Sequence, residues 1–260
     1  MELSGEYPIR RFEGDGVSSA DDLVVTETRI ELDVNGGQLR LAMLCLPRDM
    51  EALAAGFFLG EGALRRIEDL EAVEYLPAEQ TVLVRGDFDA DVLERIHLRW
   101  TLGTGCGGGG TSRDMDAPPV APPGPGPTVH PRRVGELTRE FHARTELWRR
   151  TGGVHACALA DEDGLAILAE DVGRHNAFDK VIGMAALGGV EVTDKMMITT
   201  GRLTAEIVSK AVACRVPILV SRSAVSSLSI ELARRAALTL VGFCRARRMN
   251  VYTGYDRIHE

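Results

Sequence analysis

The sequence predicts an α/β protein: a mixed, largely parallel sheet flanked by helices, preceded by a smaller α+β part. Three observations carry this expectation. From residue 154 onward, short apolar runs alternate with amphipathic helical stretches, the order expected of strands joined by crossover helices. Before residue 100, paired strand-like runs flank one helical run. Between these two regions lies a stretch that can sustain neither element. It holds Gly103, Gly105, Gly107, Gly108, Gly109 and Gly110 around Cys106 and continues into a proline-rich run, and glycines lose too much conformational freedom in a helix or strand. The chain therefore divides into a flexible polar arm (1–21), an N-terminal α+β domain (22–100), a mobile Gly/Pro-rich loop carrying Cys106 (101–132) and a C-terminal α/β domain (133–260).

In order, residues 23–33 and 38–46 read as strands joined at Asn35-Gly36, a pair that tolerates the positive φ of a hairpin turn. Residues 49–60 read as a helix with Asp49 as its cap and an apolar stripe including Leu53 and Phe57. Strands follow at 72–76 and 81–85, and 89–100 fits either element. Residues 133–150 form an amphipathic helix through Leu137, Phe141 and Trp148. A second hairpin spans 154–160 and 165–170, turning at Asp163-Gly164. Helices at 176–187, 204–214 and 227–237 then alternate with strands at 195–200, 217–221 and 238–243, and 250–252 can add a last strand.

Composition excludes several functions. The chain has 260 residues, with 30 basic and 38 acidic side chains, so its net charge is 30 − 38 = −8. That charge opposes non-specific nucleic-acid binding. No apolar stretch is long enough for a bilayer, and the N-terminus lacks the apolar core of a signal peptide, so a cytoplasmic protein without membrane contact is expected. Five cysteines, at 45, 106, 157, 214 and 244, form no C-x-x-C pair, which fits reduced thiols better than a disulfide framework. No zinc-deaminase pattern is present, and no metal site is expected.

Ligands of such sheets sit beyond the carboxyl ends of strands, and several predicted loops there carry suitable chemistry. One is Gly173-Arg174-His175-Asn176, where a glycine admits close approach and an arginine can fork onto phosphate at a helix start. Gly201-Arg202 repeats the arrangement, with Lys210 on the following helix. A serine-rich loop runs from Ser221 and Arg222 to Ser227. The last long strand closes on Phe243, Cys244, Arg245, Ala246, Arg247 and Arg248, and such an arginine cluster in an acidic chain suggests phosphate recognition. Each loop read alone can be a helix cap or a solvated turn. His155 and Cys157 share one strand face, as a nucleophilic pair or, more simply, as packing residues. Cys106 stands apart as a thiol on a mobile segment.

These blocks resemble the FdhD family, sulfurtransferases that serve formate dehydrogenase. The resemblance covers residues 25–258 and rests on EDVGRHNAFDK (170–180), TGR with Lys210 (200–210), LTLVGFCRARRMNVYT (238–253) and PRDMEALAAGFFLGEGAL (47–64). It implies a cytidine-deaminase-like C-terminal domain and a homodimer. It also implies a carrier that takes sulfur from a cysteine desulfurase as a cysteine persulfide and gives it to the molybdenum bis(molybdopterin guanine dinucleotide) cofactor of formate dehydrogenase. Cys106 matches the persulfide cysteine, the first of a family C-x-x-C. Gly109 stands in place of the second, so the outer sulfur must pass directly to an acceptor or to an outside reductant. Val225 stands where the family usually has proline. The resemblance carries 243–248 over as a cofactor contact. Alternatives are a cofactor-holding chaperone without sulfur transfer, a sulfur donor to another acceptor, and a nucleotide hydrolase or deaminase on the same fold.

Overall fold

The computed structural model describes residues 2–102, 126–245 and 247–259. Cys106, most of the Gly/Pro-rich stretch and Ala246 lie outside the described residues.

The N-terminus corrects the expectation of a loose arm. Strands β1 (Ser4–Glu13) and β2 (Gly16–Val25) pair antiparallel over their full length as a separate two-stranded sheet. Gly14 turns the chain at φ +58°, a conformation that glycine adopts without strain. The Thr26 N–H donates to the Leu3 carbonyl (2.9 Å) and closes the base. Leu3 and Val25 anchor that base in a small apolar cluster with Leu46, Leu147, Trp148, Val154 and Val172.

A four-stranded sheet follows, built from β3 (Thr28–Val34), β4 (Leu39–Cys45), β5 (Leu70–Leu76) and β6 (Thr81–Gly86) in the order β4-β3-β6-β5. Asn35 and Gly36 take positive φ at the β3–β4 turn, as their sequence predicts. Helix α1 (Met50–Glu61) lies between β4 and β5, and α2 (Ala90–Leu102) follows β6, resolving the ambiguity at 89–100. Met50, Leu53, Phe57 and Phe58 of α1 pack with Ile30, Leu32, Val82 and Val84 of the sheet. Asp49 does not cap α1: it sits at φ +56° without a side-chain cap bond, and its carboxylate lies 3.5 Å from Arg48 Nε.

The expected helix over 133–150 is two helices, α3 (Pro131–Arg144) and α4 (Glu146–Thr151), parted at Thr145. The break has a clear cause. The Glu170 carboxylate accepts hydrogen bonds from the Leu147 and Trp148 N–H groups (3.1 and 2.8 Å), satisfying donors that open a new helix. Then come β7 (His155–Ala160), β8 (Leu165–Asp171), α5 (Arg174–Leu187), β9 (Met196–Thr199), α6 (Ala205–Ala213), β10 (Ile218–Ser221), α7 (Ser227–Arg235), β11 (Thr239–Arg245) and β12 (Arg248–Thr253). The sheet order is β12-β11-β10-β9-β7-β8. It is mixed, as predicted, but its parallel part is narrower than expected: only the β9–β10 and β10–β11 pairs are parallel, while β7, β8 and β12 join antiparallel. Cys157 and Leu159 face α5, α6 and α7; Ala156, Ala158 and Ala160 face α3, the two-residue alternation of a sheet covered on both sides.

The two halves meet where α1 crosses α5. A Cβ on Gly56 would overlap the Asp179 carbonyl, and one on Gly183 would overlap the Ala52 carbonyl, so both glycines are required for the close approach. Buried charge ties the same seam. Lys180 pairs with Asp171 (2.6 Å) and donates to the Leu46 carbonyl (3.0 Å). Lys210 lies 2.6 and 2.9 Å from the Asp179 oxygens and 3.3 Å from Glu61.

Candidate functional site

The connectivity brings the predicted loops to one edge. β8, β9, β10 and β11 all end there, and β7 and β12 begin there. In strand order the edge presents Arg248, Arg247 and Arg245, then Arg222, then Arg202, with His155 and the Arg174 turn beyond. This is the carboxyl edge at which sheets of this kind take ligands.

Small side chains lock the loops together. The Ser221 hydroxyl donates to the Gly201 carbonyl (2.6 Å) and accepts from the Ser223 N–H (2.9 Å). The Phe243 N–H donates to the Ser223 carbonyl (2.9 Å), and Arg245 Nη1 donates to the Arg222 carbonyl (2.6 Å). Ser226 and Ser229 form a reciprocal cap at the start of α7, so this part of the serine-rich loop acts as a cap. Gly201 is needed for closeness: a Cβ there would meet the Arg174 side chain at 3.0 Å. Gly242 likewise lies under Val225 and Tyr252. Phe243 holds φ +50° with its ring partly exposed, an outlying conformation for an aromatic residue and of the kind that concentrates at functional sites.

The electrostatics of the edge favour an anion. Arg174 stands at the first turn of α5, where backbone N–H groups add partial positive charge. Its Nε is shut off from water without a hydrogen-bond partner among the described residues. His155 Nδ1 lies 3.2 Å from the Thr200 hydroxyl, which also accepts from the Ala156 N–H (3.0 Å). Burial, then Arg174, His175 and Arg202, push the His155 imidazole below its ordinary value. Burial also lowers His175, whose Nε2 lies 3.4 Å from Glu206. Both rings are held neutral beside fixed guanidinium charge, so the edge can add proton donors or acceptors to a site whose lasting charge comes from arginine.

Not every predicted residue reaches this edge. Asn176 Nδ2 donates to the Leu44 carbonyl (2.8 Å) and to Asp171 (2.9 Å), which joins it to the seam between the halves. Lys210 is 2 % exposed and enclosed by acids in that seam. Cys244 points away from the arginines, buried 3.4 Å from Thr138 of α3, with its thiol raised by burial. Cys157 is buried against Met197 and raised by burial, so it forms no nucleophilic pair with His155. Ala246 and Cys106 lie outside the described residues. Among those residues no group of three or more His, Cys, Asp or Glu side chains could hold a metal, and no helix is long and apolar enough to cross a membrane.

Sequence reasoning missed His142. It sits on α3 with both ring nitrogens enclosed and unpartnered among the described residues, beside Phe141 and Trp148. Burial, then Arg222 and Arg245, push it down to about 4. A histidine inside an amphipathic helix carries no local sign of this. Its environment comes from strand ends about 80 and 100 residues away.

The comparisons with known proteins agree with this architecture. The family model described as the FdhD/NarQ family matches residues 25–259. A protein named sulfur carrier protein FdhD from Wolinella succinogenes is 36% identical over 93% of this chain and 84% of its own length. One of the same name from Streptomyces coelicolor is 36% identical over 95% of this chain and 93% of its own. A crystal structure from Desulfotalea psychrophila, of a protein described as a candidate formate dehydrogenase accessory protein, superposes with a TM-score of 0.80 at 28% identity. That match covers 99% of this chain and all of the other. With its sheet edge, its glycine contacts and these relatives in agreement, the chain belongs to the FdhD/NarQ family.

Proposed function

We propose that this chain is a sulfur carrier for formate dehydrogenase maturation. It accepts sulfane sulfur from a cysteine desulfurase as a persulfide on Cys106. It then delivers that sulfur, in the cytoplasm, to a molybdenum cofactor bearing two guanine dinucleotide pterins. The observation that carries the reading is the arginine-lined carboxyl edge, with Arg174, Arg202, Arg222, Arg245, Arg247 and Arg248 gathered on a chain of net charge −8. A large phosphate-bearing cargo is the ligand such an edge suits. The names of the relatives support the sulfur role.

In the loading step the Cys106 thiolate attacks the outer sulfur of the donor persulfide. A new S–S bond forms, the donor S–S bond breaks, and the donor cysteine leaves as thiolate. Delivery of the sulfur at the sulfide level takes up two electrons, which a reduced metal centre in the cargo or an external thiol supplies. Cys106 is then left as thiolate. With Gly109 in place of a second thiol, no disulfide within that motif closes during release.

The test is mass spectrometry of the full chain after incubation with a desulfurase and cysteine. The wild type gains one sulfur atom at Cys106, reversed by a thiol reductant, and Cys106→Ala gains none. An adduct that persists in Cys106→Ala, or no adduct in the wild type, removes the carrier reading. Guanine-nucleotide binding, measured in parallel, reports the arginine edge separately.

A further inference from the structure

His155 opens β7, and the Thr200 side chain is fixed beside it. The Thr200 N–H donates to the Ala156 carbonyl and the Thr200 hydroxyl accepts from the Ala156 N–H, both at 3.0 Å. This reciprocal pair carries the β7–β9 ladder one step past Thr199, the last residue of β9. The same hydroxyl lies 3.2 Å from His155 Nδ1, and among the described residues its hydrogen has no other acceptor. The turn behind it is fixed as well. The Thr199 hydroxyl donates to the Ala156 carbonyl and accepts from the Gly201 N–H, both at 3.2 Å.

These contacts set the tautomer of the ring. Burial, then Arg174, His175 and Arg202, hold the imidazole below its ordinary value, so the ring carries one hydrogen. On Nδ1, that hydrogen would face a hydroxyl that already accepts from Ala156, and the hydroxyl's own hydrogen would go unpaired. On Nε2, it leaves Nδ1 as the acceptor, and the chain from Ala156 through Thr200 to His155 closes with every donor used. Nε2 makes no hydrogen bond among the described residues and, unlike the Arg174 Nε, is not shut off from water. Residues 155 and 157 share the strand face that packs on α5 and α6. The ring therefore lies on the side where the Arg174 turn and the Gly201-Arg202 loop lead into those helices.

We propose that His155 is a ligand-binding residue whose Nε2–H donates to an ionised phosphate oxygen of the cargo, beside Arg174 and Arg202, with Thr200 as the positioning residue that fixes the tautomer. The inference rests on the reading that a phosphate-bearing cargo occupies this edge. Guanidinium groups supply charge and attract any anion, whereas a single N–H on a locked ring requires an oxygen lone pair at one place. A site made of donors also rejects a protonated oxygen, because that hydrogen would have no acceptor. The subsite therefore selects a fully ionised phosphate oxygen, such as those of a dinucleotide's pyrophosphate, over a protonated or amide group.

The experiment is titration calorimetry of the full chain with guanosine diphosphate, read together with nitrogen–proton correlation spectra of the histidine rings near neutral pH. The wild type binds the nucleotide and carries the His155 hydrogen on Nε2, with Nδ1 bare. His155→Leu weakens binding by about tenfold to a hundredfold, the worth of one hydrogen bond to a charged group. His155→Gln, whose amide nitrogen reaches the Nε2 position, recovers most of that loss. Thr200→Val weakens binding and mixes the tautomers, and Thr200→Ser, which keeps the hydroxyl, restores both. Unchanged far-UV circular dichroism in each variant separates lost binding from lost folding. A hydrogen on Nδ1, an affinity indifferent to His155→Leu, or Thr200→Ser behaving like Thr200→Val overturns the proposal and leaves the arginine edge standing. A wild type that binds no guanosine diphosphate overturns both, and the sulfur adduct at Cys106 reports the carrier reading separately.

Discussion

Replacing Lys210 by methionine tests whether the seam between the halves is held by charge. The lysine Nζ has two contacts to Asp179 at 2.6 and 2.9 Å and one to Glu61 at 3.3 Å. It also lies 5.1 Å from the centre of the Phe57 ring. Burial opposes its charge, but Asp179 and Glu61 outweigh burial and hold it protonated above the ordinary lysine value. Burial pushes the Asp179 carboxyl the other way, up to about 6, against the pull of the lysine. Methionine fills similar volume and removes the charge, stranding two acids in an apolar seam. Breaking a buried pair in this way costs about 3–5 kcal/mol. With an unfolding entropy of roughly 2.1 cal/mol/K per residue, that lowers Tm by about 6–9 °C for this chain. Urea unfolding by circular dichroism and a thermal scan measure both quantities. The deficit narrows as pH falls from 8 to 5, because the stranded acids are then neutralised by protons. A loss below about 1 kcal/mol with guanine-nucleotide binding abolished would refute the reasoning and return Lys210 to the cargo site.

Three further outcomes follow from the geometry. Gly183→Ala forces α1 and α5 apart and costs about 1–3 kcal/mol or more, read as a lower urea midpoint. Its effect exceeds that of Gly189→Ala, whose Cβ meets nothing within 4 Å although its φ is +66°. His142 is neutral when folded, because its folded value is about 4 against an ordinary 6.5. Its contribution is therefore complete above pH 6.5 and is lost as pH falls towards 4; His142→Phe flattens this part of the Tm–pH curve. Phe243→Gly relieves the positive φ and raises stability by about 1 kcal/mol, while guanine-nucleotide affinity falls with loss of the ring.

The elements were largely legible because their apolar periods are local. The alternation from residue 154 onward marked the sheet and the edge where its loops gather. The hairpin within 1–25 is hard to see in the sequence because Ile9, Phe12 and Val17 are spaced too sparsely for a strand pattern, although Gly14 and Gly16 bracket a turn. The break at Thr145 depends on Glu170, a partner 25 residues away. A lysine after a Gly-Arg loop suggests a ligand residue, which is why the sequence points Lys210 at the cargo. Its position held the better clue: it stands three residues after Ile207, on the buried face of α6. Charge on an apolar stripe signals a buried partner, and only the fold names Asp179 and Glu61.

The seam also sets an order of events during synthesis. The Leu46 carbonyl waits for Lys180, 134 residues later in the chain. At a ribosomal rate of roughly 5–20 residues per second, that delay is about 7–27 s. From residue 86 onward the N-terminal sheet is complete, yet until α5 is made the side of α1 with Gly56, Gly60 and the Glu61 carboxylate has no helix to meet. The first half of the nascent chain is therefore a natural client for a holding chaperone, and slow codons placed before residue 180 would prolong that dependence.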